Sequence, residues 1–359
     1  MALSTIPFSG LSSDASNQGV NFRNLIINGD MSIAQRGTSS SSITSGGYYT
    51  VDRMEHAINY GTWTLSQSTD VPTGQGFAKS AKWDCTATGT PTASQELKFR
   101  QKIEGQFLQH LKKGTSNAES MTLSFWVKST KTGTYIVEMR DDDNNRNICQ
   151  SYTISASNTW EKKTLTFAGD TTGAYSNDNG QSLQCTFWLG AGSNYTSGTL
   201  ATSWESTTNA NRAVGQVNLA DNTANEWYIT GVQLEVGTSA SDFEFLPYDV
   251  NLQRCQRYYQ RFGNGSVGRT YSGTEAEIYC GWVTPMRAGP SCSYSGSSTD
   301  SETGGRVHIS GVANYTISSL NGTDSATSSG CLVSISTGGH SSGNVMGVKG
   351  QPFIADVEL

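Results

Sequence analysis

Length, composition and charge exclude several classes of protein. The chain has 359 residues, enough for two domains, and only 15% of them are charged, against about 25% in a typical globular domain. The formal net charge is -6 and no cluster of Lys and Arg occurs, so nucleic acid is not an expected partner. No apolar run approaches the roughly 20 residues that span a bilayer, so we expect no membrane insertion.

The residue types favour β-structure with many turns. Gly is abundant, at 39 residues, and Ser, Thr and Asn fill much of the rest, as in hydroxyl-rich strands joined by tight turns. The seven cysteines are an odd number and form no CxxC pair, which disfavours a fully paired disulfide framework or a zinc site. We expect them to be small buried side chains in a protein made in a reducing cytoplasm.

The chain begins with a segment of low complexity. Residues 1–22 are rich in Ser, Gly and Asn, a composition typical of a flexible segment that could attach the chain to a larger particle. The first domain, residues 23–248, follows. Its one helix-like stretch is Ala93–Lys113, where apolar residues recur every four positions from Phe99 to Leu111. Gly105 weakens that pattern, so we expect part strand and part short helix there.

Alternating strands fill the rest of the first domain. Apolar and polar residues alternate in five segments, and turn residues separate them, which predicts an antiparallel β-sandwich. The five segments are Met121–Val127, Gly133–Arg140, Trp160–Phe167, Gln184–Leu189 and Trp227–Val236.

The period changes after the first domain. Leu252, Cys255, Tyr259 and Phe262 are spaced three, four and three residues apart, which predicts a short helical neck over residues 249–262. The apolar stripe of this helix must be buried against another surface. Packing on its own sandwich is the more common solution, and a three-helix neck between subunits is the alternative.

Residues 263–359 are predicted to form a second, smaller β unit. Short alternating segments joined by Gly- and Ser-rich loops favour a sandwich or a barrel-like domain. Fewer than a hundred residues give a marginal core, which oligomerisation would support. The whole chain is therefore predicted to be all-β.

Five side chains form the candidate ligand site. Sugars stack on aromatic faces and hydrogen-bond to planar polar side chains. If the smooth apolar faces form the core, such side chains share the opposite faces. The candidates are Trp126, Trp188, Glu138, Arg140 and Gln233. The alternative, which we favour because exposed Trp is uncommon, is that the helix within 99–111 or the long loops cover them.

Metal binding and catalysis have little support in the sequence. Asp141, Asp143 and Asn145 match the opening of an EF-hand loop, but Arg146 stands where Gly is required and Tyr152 where the bidentate Glu belongs. The four histidines are far apart and lie in no known nucleophile motif. The sequence leaves open that two of its carboxylates form a catalytic pair for glycoside hydrolysis.

Several segments together resemble a family of phage and prophage tail-fibre or appendage proteins. The hinge is the most specific of them, with ITGVQLEVG, FEFLPYD and LQRCQRYYQRF. The other matching segments are NLIINGDMSIAQRG from Asn24, YTVDRM from Tyr49, KIEGQFLQHLKK from Lys102, VTPMRA from Val283 and the final FIADVEL.

The resemblance implies a jelly roll of the carbohydrate-binding-module type, a helical neck and a small β tip. It further implies a homotrimer that contacts a bacterial surface polysaccharide, and it supplies no catalytic motif. Jelly rolls of this type often hold a structural calcium with an Asp in the last strand. Here that stretch is Tyr228–Val232 without an Asp, so no cofactor is expected, although Asp30 and main-chain carbonyls could contribute to a calcium site.

The leading hypothesis is a non-enzymatic virion protein of the tail or an appendage. It would be assembled in the bacterial cytoplasm, attached to other tail proteins through residues 1–22, and would recognise a host glycan during adsorption. The alternatives are a structural adaptor or decoration protein of the virion and, less favoured, a polysaccharide depolymerase.

Overall fold

The computed structural model describes residues 22–263, 265–294, 306–309, 313–317, 319–324, 326–337, 342–349 and 353–359. The chain divides between Pro247 and Tyr248, and the second unit runs to Glu358. The predicted attachment segment, residues 1–22, lies outside the described residues except for Phe22. In the part of the chain that is described, no helix is both long enough and apolar enough to cross a membrane.

The first unit is an antiparallel jelly roll of two sheets. Sheet 1 has the strand order β1-β3-β4-β12-β6-β9, and sheet 2 has the order β11-β8-β7-β10-β5-β2. The strands are β1 Ser39–Ile43, β2 Glu55–Ile58, β3 Thr62–Ser68, β4 Ser80–Ala87, β5 Glu96–Glu104, β6 Met121–Ser129, β7 Gly133–Asp141, β8 Arg146–Ile154, β9 Glu161–Phe167, β10 Gln181–Ala191, β11 Glu205–Ser206 and β12 Glu226–Val236. The short helix α1, Ser193–Thr196, follows β10.

The core between the sheets follows the alternation of the sequence. In β6, Met121, Leu123 and Phe125 are at most 3% exposed and belong to one apolar cluster. Tyr135 and Val137 of β7 enter the same cluster from the other sheet. Because successive side chains of a strand point to opposite faces, the residues between them form the outer face of each sheet, which points away from this core.

The stretch Ala93–Lys113 is part strand and part short helix, as predicted. It contains β5, then 3-10 turns at Gly105–Phe107 and Gln109–Leu111. Gly105 is required where it stands, since a Cβ there would lie 2.0 Å from the carbonyl oxygen of Ser176.

The second unit is a smaller β-sandwich, and its described residues include one helix. Its helix α2 is Tyr248–Gln256. One sheet has the order β13-β22-β16 and the other the order β18-β17-β21-β14-β15-β20-β19. The strands are β13 Tyr259–Phe262, β14 Val267–Thr270, β15 Glu275–Gly281, β16 Ser291–Tyr294, β17 Arg306–Ile309, β18 Ala313–Thr316, β19 Ser319–Asp324, β20 Gly330–Ser336, β21 Val345–Lys349 and β22 Phe353–Asp356.

The predicted neck helix over 249–262 is wrong in its second half. Helix α2 ends at Gln256, and Tyr259–Phe262 is strand β13, which pairs with β22. The three-four-three spacing therefore runs across two kinds of element. It looked helical because the sequence cannot show that β22, almost a hundred residues later, offers an edge for pairing.

The four predicted neck residues do not form an exposed stripe. Cys255 is 0% exposed, and Tyr259 and Phe262 are also buried, while Leu252 is half-buried. The ring of Phe262 packs against Trp282 at 4.9 Å between centroids and belongs to the core of the second unit. Three of the four side chains are thus buried within a single chain and are not available to a sister helix.

Candidate functional site

The five predicted ligand residues lie on two different sheets. Trp126 and Gln233 belong to β6 and β12 of sheet 1, whereas Glu138, Arg140 and Trp188 belong to β7 and β10 of sheet 2. The outer faces of the two sheets point in opposite directions, so the five side chains do not form one site. Alternation predicts the face of a residue but not the sheet that carries it.

Trp188 and Glu138 are covered by a loop. Both side chains are 0% exposed. The covering segment, residues 192–217, packs on sheet 2 through a second small apolar cluster that includes Ala201 and Ala213. The main-chain NH of Cys149 donates to the carbonyl oxygen of Ala201 at 2.7 Å. The favoured alternative, cover by long loops, therefore holds for these two residues.

A buried ion pair holds the covering segment in place. Arg212 donates to both carboxylate oxygens of Glu138, at 2.7 and 3.0 Å, and the indole NH of Trp188 donates to the same carboxylate at 3.1 Å. The ammonium of Lys98 lies 4.1 Å from the centroid of the Trp188 ring. Burial lowers the pKa of Lys98 to about 8. These groups satisfy one another and leave Trp188 inaccessible to a ligand.

Arg140 lies in a half-buried polar row on the outer face of sheet 2. Its Nε is 3.3 Å from Oδ1 of Asp142, and Gln184 on the next strand also donates to Asp142, at 2.6 Å. Arg100, one strand further, donates to Gln184 at 3.1 Å. Arg140 is thus part of a row of paired polar groups and not of an aromatic platform.

An open groove lies on the outer face of sheet 1. It encloses a cavity of about 330 Å³ and includes the half-buried Trp126. The cross-strand partner of Trp126 on β9 is Lys162, whose side chain is exposed. The lining residues are Gly74, Gln75, Phe77, Ser124, Trp126, Lys162, Gly231, Asp242, Phe243 and Phe245. We call this feature the sheet 1 groove.

Three phenylalanines form one wall of the sheet 1 groove. The ring centroids of Phe77 and Phe243 are 5.1 Å apart, and those of Phe243 and Phe245 are 4.9 Å apart. Phe245 is 51% exposed. Glycine at position 231 leaves room for the ring of Phe77, because a Cβ there would lie 2.5 Å from that ring. The φ of Gly231, +62°, also suits glycine.

Gln233 supports this wall and does not line the groove. Its side chain is 0% exposed. Its amide NH2 donates to the hydroxyl oxygen of Ser241 at 3.1 Å, and its amide oxygen accepts from the main-chain NH of Glu244 at 2.8 Å. Gln233 therefore fixes residues 241–245 beside β12, which places Phe243 and Phe245 at the groove.

A second aromatic patch continues along the outer face of sheet 1. Trp160 and Tyr228 lie 6.2 Å apart between ring centroids, and the ammonium of Lys128 is 4.3 Å from the Tyr228 ring. Lys128 and the indole NH of Trp160 both donate to the carboxylate of Asp70. Burial opposes the charge on Asp70, but these hydrogen bonds outweigh it and lower the pKa of the carboxyl.

Comparison with known proteins gives matches in structure but not in sequence. No protein-family model matches the chain, and neither does any curated protein. The enzymatically active domain of tailspike protein 4 from bacteriophage CBA120 is 18% identical, over 60% of this chain and 21% of that one, at a TM-score of 0.31. The chain thus spans about a fifth of that structure.

Carbohydrate-binding modules are also among the similar structures. A CBM4 structure is 15% identical over 58% of this chain and 97% of its own, with a TM-score of 0.30. TmCBM61, solved in complex with β-1,4-galactotriose, is 9% identical over 60% of this chain and 99% of its own, with a TM-score of 0.25. Scores at this level carry no functional argument, so the site rests on its own geometry.

The position implied for a structural calcium does not suit the ion. The hydroxyl of Thr230 donates to the carbonyl oxygen of Lys79 at 2.7 Å, and Oδ1 of Asp30 accepts from the hydroxyl of Ser32 at 3.0 Å. Among the described residues, no group of three or more His, Cys, Asp or Glu side chains could hold a metal. Thr230 supplies a hydrogen-bonded hydroxyl where the resemblance implies a carboxylate, so these residues do not fit the implied calcium site.

The acidic turn after β7 is occupied by protein partners. Asp141 is 0% exposed, and its carboxylate lies 2.6 Å from the ammonium of Lys113. Asp143 accepts from the main-chain NH of Ser176 at 2.9 Å. These carboxylates hold neighbouring loops, which agrees with the failed EF-hand match.

The signal for the sheet 1 groove was present in the sequence but was assigned to another role. Phe243 and Phe245 lie in FEFLPYD, which carried the family resemblance. Phe77 stands alone in a Gly-rich loop. Three aromatic side chains from two distant segments meet because Gln233 holds residues 241–245 beside β12 and Gly231 leaves room for Phe77.

Proposed function

We propose that the chain is a glycan-binding protein whose first unit holds a carbohydrate in the sheet 1 groove. The observation that carries the proposal is the open groove itself, in which Trp126 and Phe245 present aromatic surface beside polar side chains. Sugar rings offer apolar C–H faces for stacking and hydroxyls for hydrogen bonds. The groove supplies both kinds of partner, with Gln75, Ser124 and Asp242 as the polar groups.

The proposed biological setting is the tail or an appendage of a phage virion. The support is the sequence resemblance in the hinge and the flanking segments, together with the modular β architecture. In this setting the protein is a homotrimer, is attached to other tail proteins through residues 1–22, and binds a host surface polysaccharide during adsorption.

We also propose that binding is not followed by hydrolysis. Glycoside hydrolysis usually needs two carboxyl groups on either side of the scissile bond. Among the described residues that line the groove, Asp242 is the one carboxylate. Purified protein should therefore release no reducing sugar from host envelope polysaccharide, and release above a heat-inactivated control would argue for a depolymerase.

A glycan array and a cell-adsorption assay with the purified full chain test the proposal. We expect retention on a defined set of glycans and on host cells, with soluble polysaccharide of the same type competing for both. Absence of binding to any glycan and to cells would overturn glycan recognition. Cryo-electron microscopy that placed the chain between other virion proteins, away from any distal tip, would then favour the structural adaptor.

A further inference from the structure

Two cysteines of the second unit approach each other across its two sheets. Cys292 lies on β16 of the three-stranded sheet, and Cys331 lies on β20 of the seven-stranded sheet. Their sulfur atoms are 4.0 Å apart, although 39 residues separate them in the chain. Both side chains pack in the core cluster of the second unit.

We propose that Cys292 and Cys331 are the site of an intramolecular disulfide that cross-links the two sheets of the second unit. The sulfur atoms are in van der Waals contact at 4.0 Å, and they bond when they approach to about 2.05 Å. The inference is independent of the sheet 1 groove, which lies in the other unit.

The environment of the pair gives each cysteine a distinct part in bond formation. Cys292 is half-buried and Cys331 is 1% exposed, so an external reagent reaches Cys292 first. The neighbouring Cys331 thiol lowers the pKa of Cys292 because it stabilises the thiolate, whereas the pKa of Cys331 is raised well above its ordinary value by the same contact. The thiolate is the reactive form in disulfide exchange.

The oxidant in this reaction is a small disulfide such as oxidised glutathione. The Cys292 thiolate attacks one sulfur of that disulfide, forms a mixed disulfide and releases one thiolate. Cys331 then loses its proton, its sulfur attacks the sulfur of Cys292, and the second thiolate leaves. Two protein thiols are oxidised, the small disulfide is reduced to two thiols, and the two protons pass to the released thiolates or to solvent.

Cys280 is the competing partner. It is the direct cross-strand neighbour of Cys331 on β15 and is 1% exposed. Its pKa is raised to about 11, mainly by burial, so it has little thiolate at neutral pH. An external disulfide therefore reacts at Cys292 and not at Cys280, and the link forms between sheets rather than between adjacent strands.

Peptide mapping of the full chain tests this assignment. The reduced protein is exposed to oxidised glutathione, denatured, alkylated with N-ethylmaleimide and digested. We expect a peptide pair joined through Cys292 and Cys331, with the other five of the seven cysteines alkylated. Recovery of both cysteines in alkylated form, a stable glutathione adduct at Cys292, or a link from Cys331 to Cys280 would overturn it.

Thermal unfolding gives a second readout. Closing a long loop stabilises a small domain, and we expect the transition of the oxidised protein to lie on the order of 10 °C above that of the reduced protein. Cys280→Ser should keep this difference, and Cys292→Ser should lose it. An unchanged transition in oxidised wild type, or a difference that survives in Cys292→Ser, would contradict the proposed link.

Discussion

At the scale of single residues, the proposed glycan site makes Lys162 the residue expected to select the kind of sugar. It stands opposite Trp126 on the neighbouring strand, and its side chain is exposed. A sugar stacked on Trp126 would bring its substituents to this ammonium. The groove should therefore prefer glycans that carry a carboxylate.

We predict that Lys162→Met weakens binding of acidic glycans about fivefold, the value of a partly exposed ion pair, and leaves neutral glycans unaffected. Titration of matched acidic and neutral oligosaccharides at low and high salt would measure this. Lys163→Met is a suitable control, because Lys163 is the neighbour that pairs with Glu161 at 2.5 Å. Equal loss for both sugar classes would mean that Lys162 has no part in selectivity.

His56 is a second residue whose effect can be isolated. It is buried among aromatic rings, with centroids 5.1 Å from Trp83 and 5.2 Å from Phe99, and burial lowers its pKa from 6.5 to about 3. Between pH 6.5 and about 3, the unfolded chain binds a proton at His56 and the folded chain does not. The contribution of neutral His56 to the unfolding free energy is therefore fully present above pH 6.5 and is lost as the pH falls towards 3.

We predict that wild type loses about 1.5 kcal/mol more of its unfolding free energy than His56→Phe does between pH 6.5 and about pH 5. Urea unfolding at several pH values would show it. The carboxyl groups of Glu55 and Asp170, whose pKa values are lowered in the fold, begin to matter only at lower pH. Parallel curves for the two proteins in this window would refute the role of His56.

Single side chains were predictable where they depend on alternation alone. Strand β6 shows this, because Phe125 faces the core and Trp126 faces outwards as expected. Gln233 lies on the predicted sheet face and is covered, as the favoured alternative had it, but the segment that covers it was not predicted. Its burial depends on residues 241–244 folding back over β12, and the sequence of a polar loop does not encode where it lies.

At the scale of elements, the covering segment 192–217 decides which sheet face is open. Its sequence is rich in Gly, Ser, Thr and Asn, so neither period nor hydrophobicity predicts that it packs. It is held by a few specific contacts, above all the ion pair of Arg212 with Glu138. Long-range contacts of this kind are specified by three-dimensional arrangement and not by local pattern.

We predict that Arg212→Met lowers the unfolding free energy by about 3–5 kcal/mol, because it leaves the carboxylate of Glu138 buried without its cation. Urea unfolding and limited proteolysis within 192–217 would measure the loss and locate it. Arg140→Met, on the outer face of the same sheet, should cost less than about 1 kcal/mol. Similar costs for the two substitutions would show that the buried pair does not hold the segment.

The sequence pattern predicted the strands correctly but not the full length of the neck helix. The alternating segments predicted strands because each alternating pattern lies within one element. The spacing from Leu252 to Phe262 predicted one continuous helix, which is wrong because these residues run from α2 into β13. The Cys292–Cys331 approach was likewise invisible, since the two cysteines come from different sheets.

At the scale of the whole molecule, the homotrimer stays a prediction. Cys255, Tyr259 and Phe262 are buried within one chain, so subunit contacts would have to come from elsewhere. Light scattering of the full chain should give three times the 38.5 kDa mass of one chain, and Leu252→Ala should leave that mass unchanged. A monomer at micromolar concentration would contradict the fibre proposal. Loss of the trimer in Leu252→Ala would instead support the three-helix neck as the contact between subunits.

The central claim is that a glycan binds on sheet 1 in the groove beside Trp126. Its most direct test is the affinity of a glycan identified on the array, measured by titration calorimetry for wild type, Trp126→Ala and Phe107→Ala. Phe107 is 42% exposed and follows β5 of the other sheet, so it controls for loss of exposed aromatic surface. We predict that Trp126→Ala weakens binding at least about tenfold while Phe107→Ala binds as wild type does. Unchanged affinity in Trp126→Ala would contradict the account.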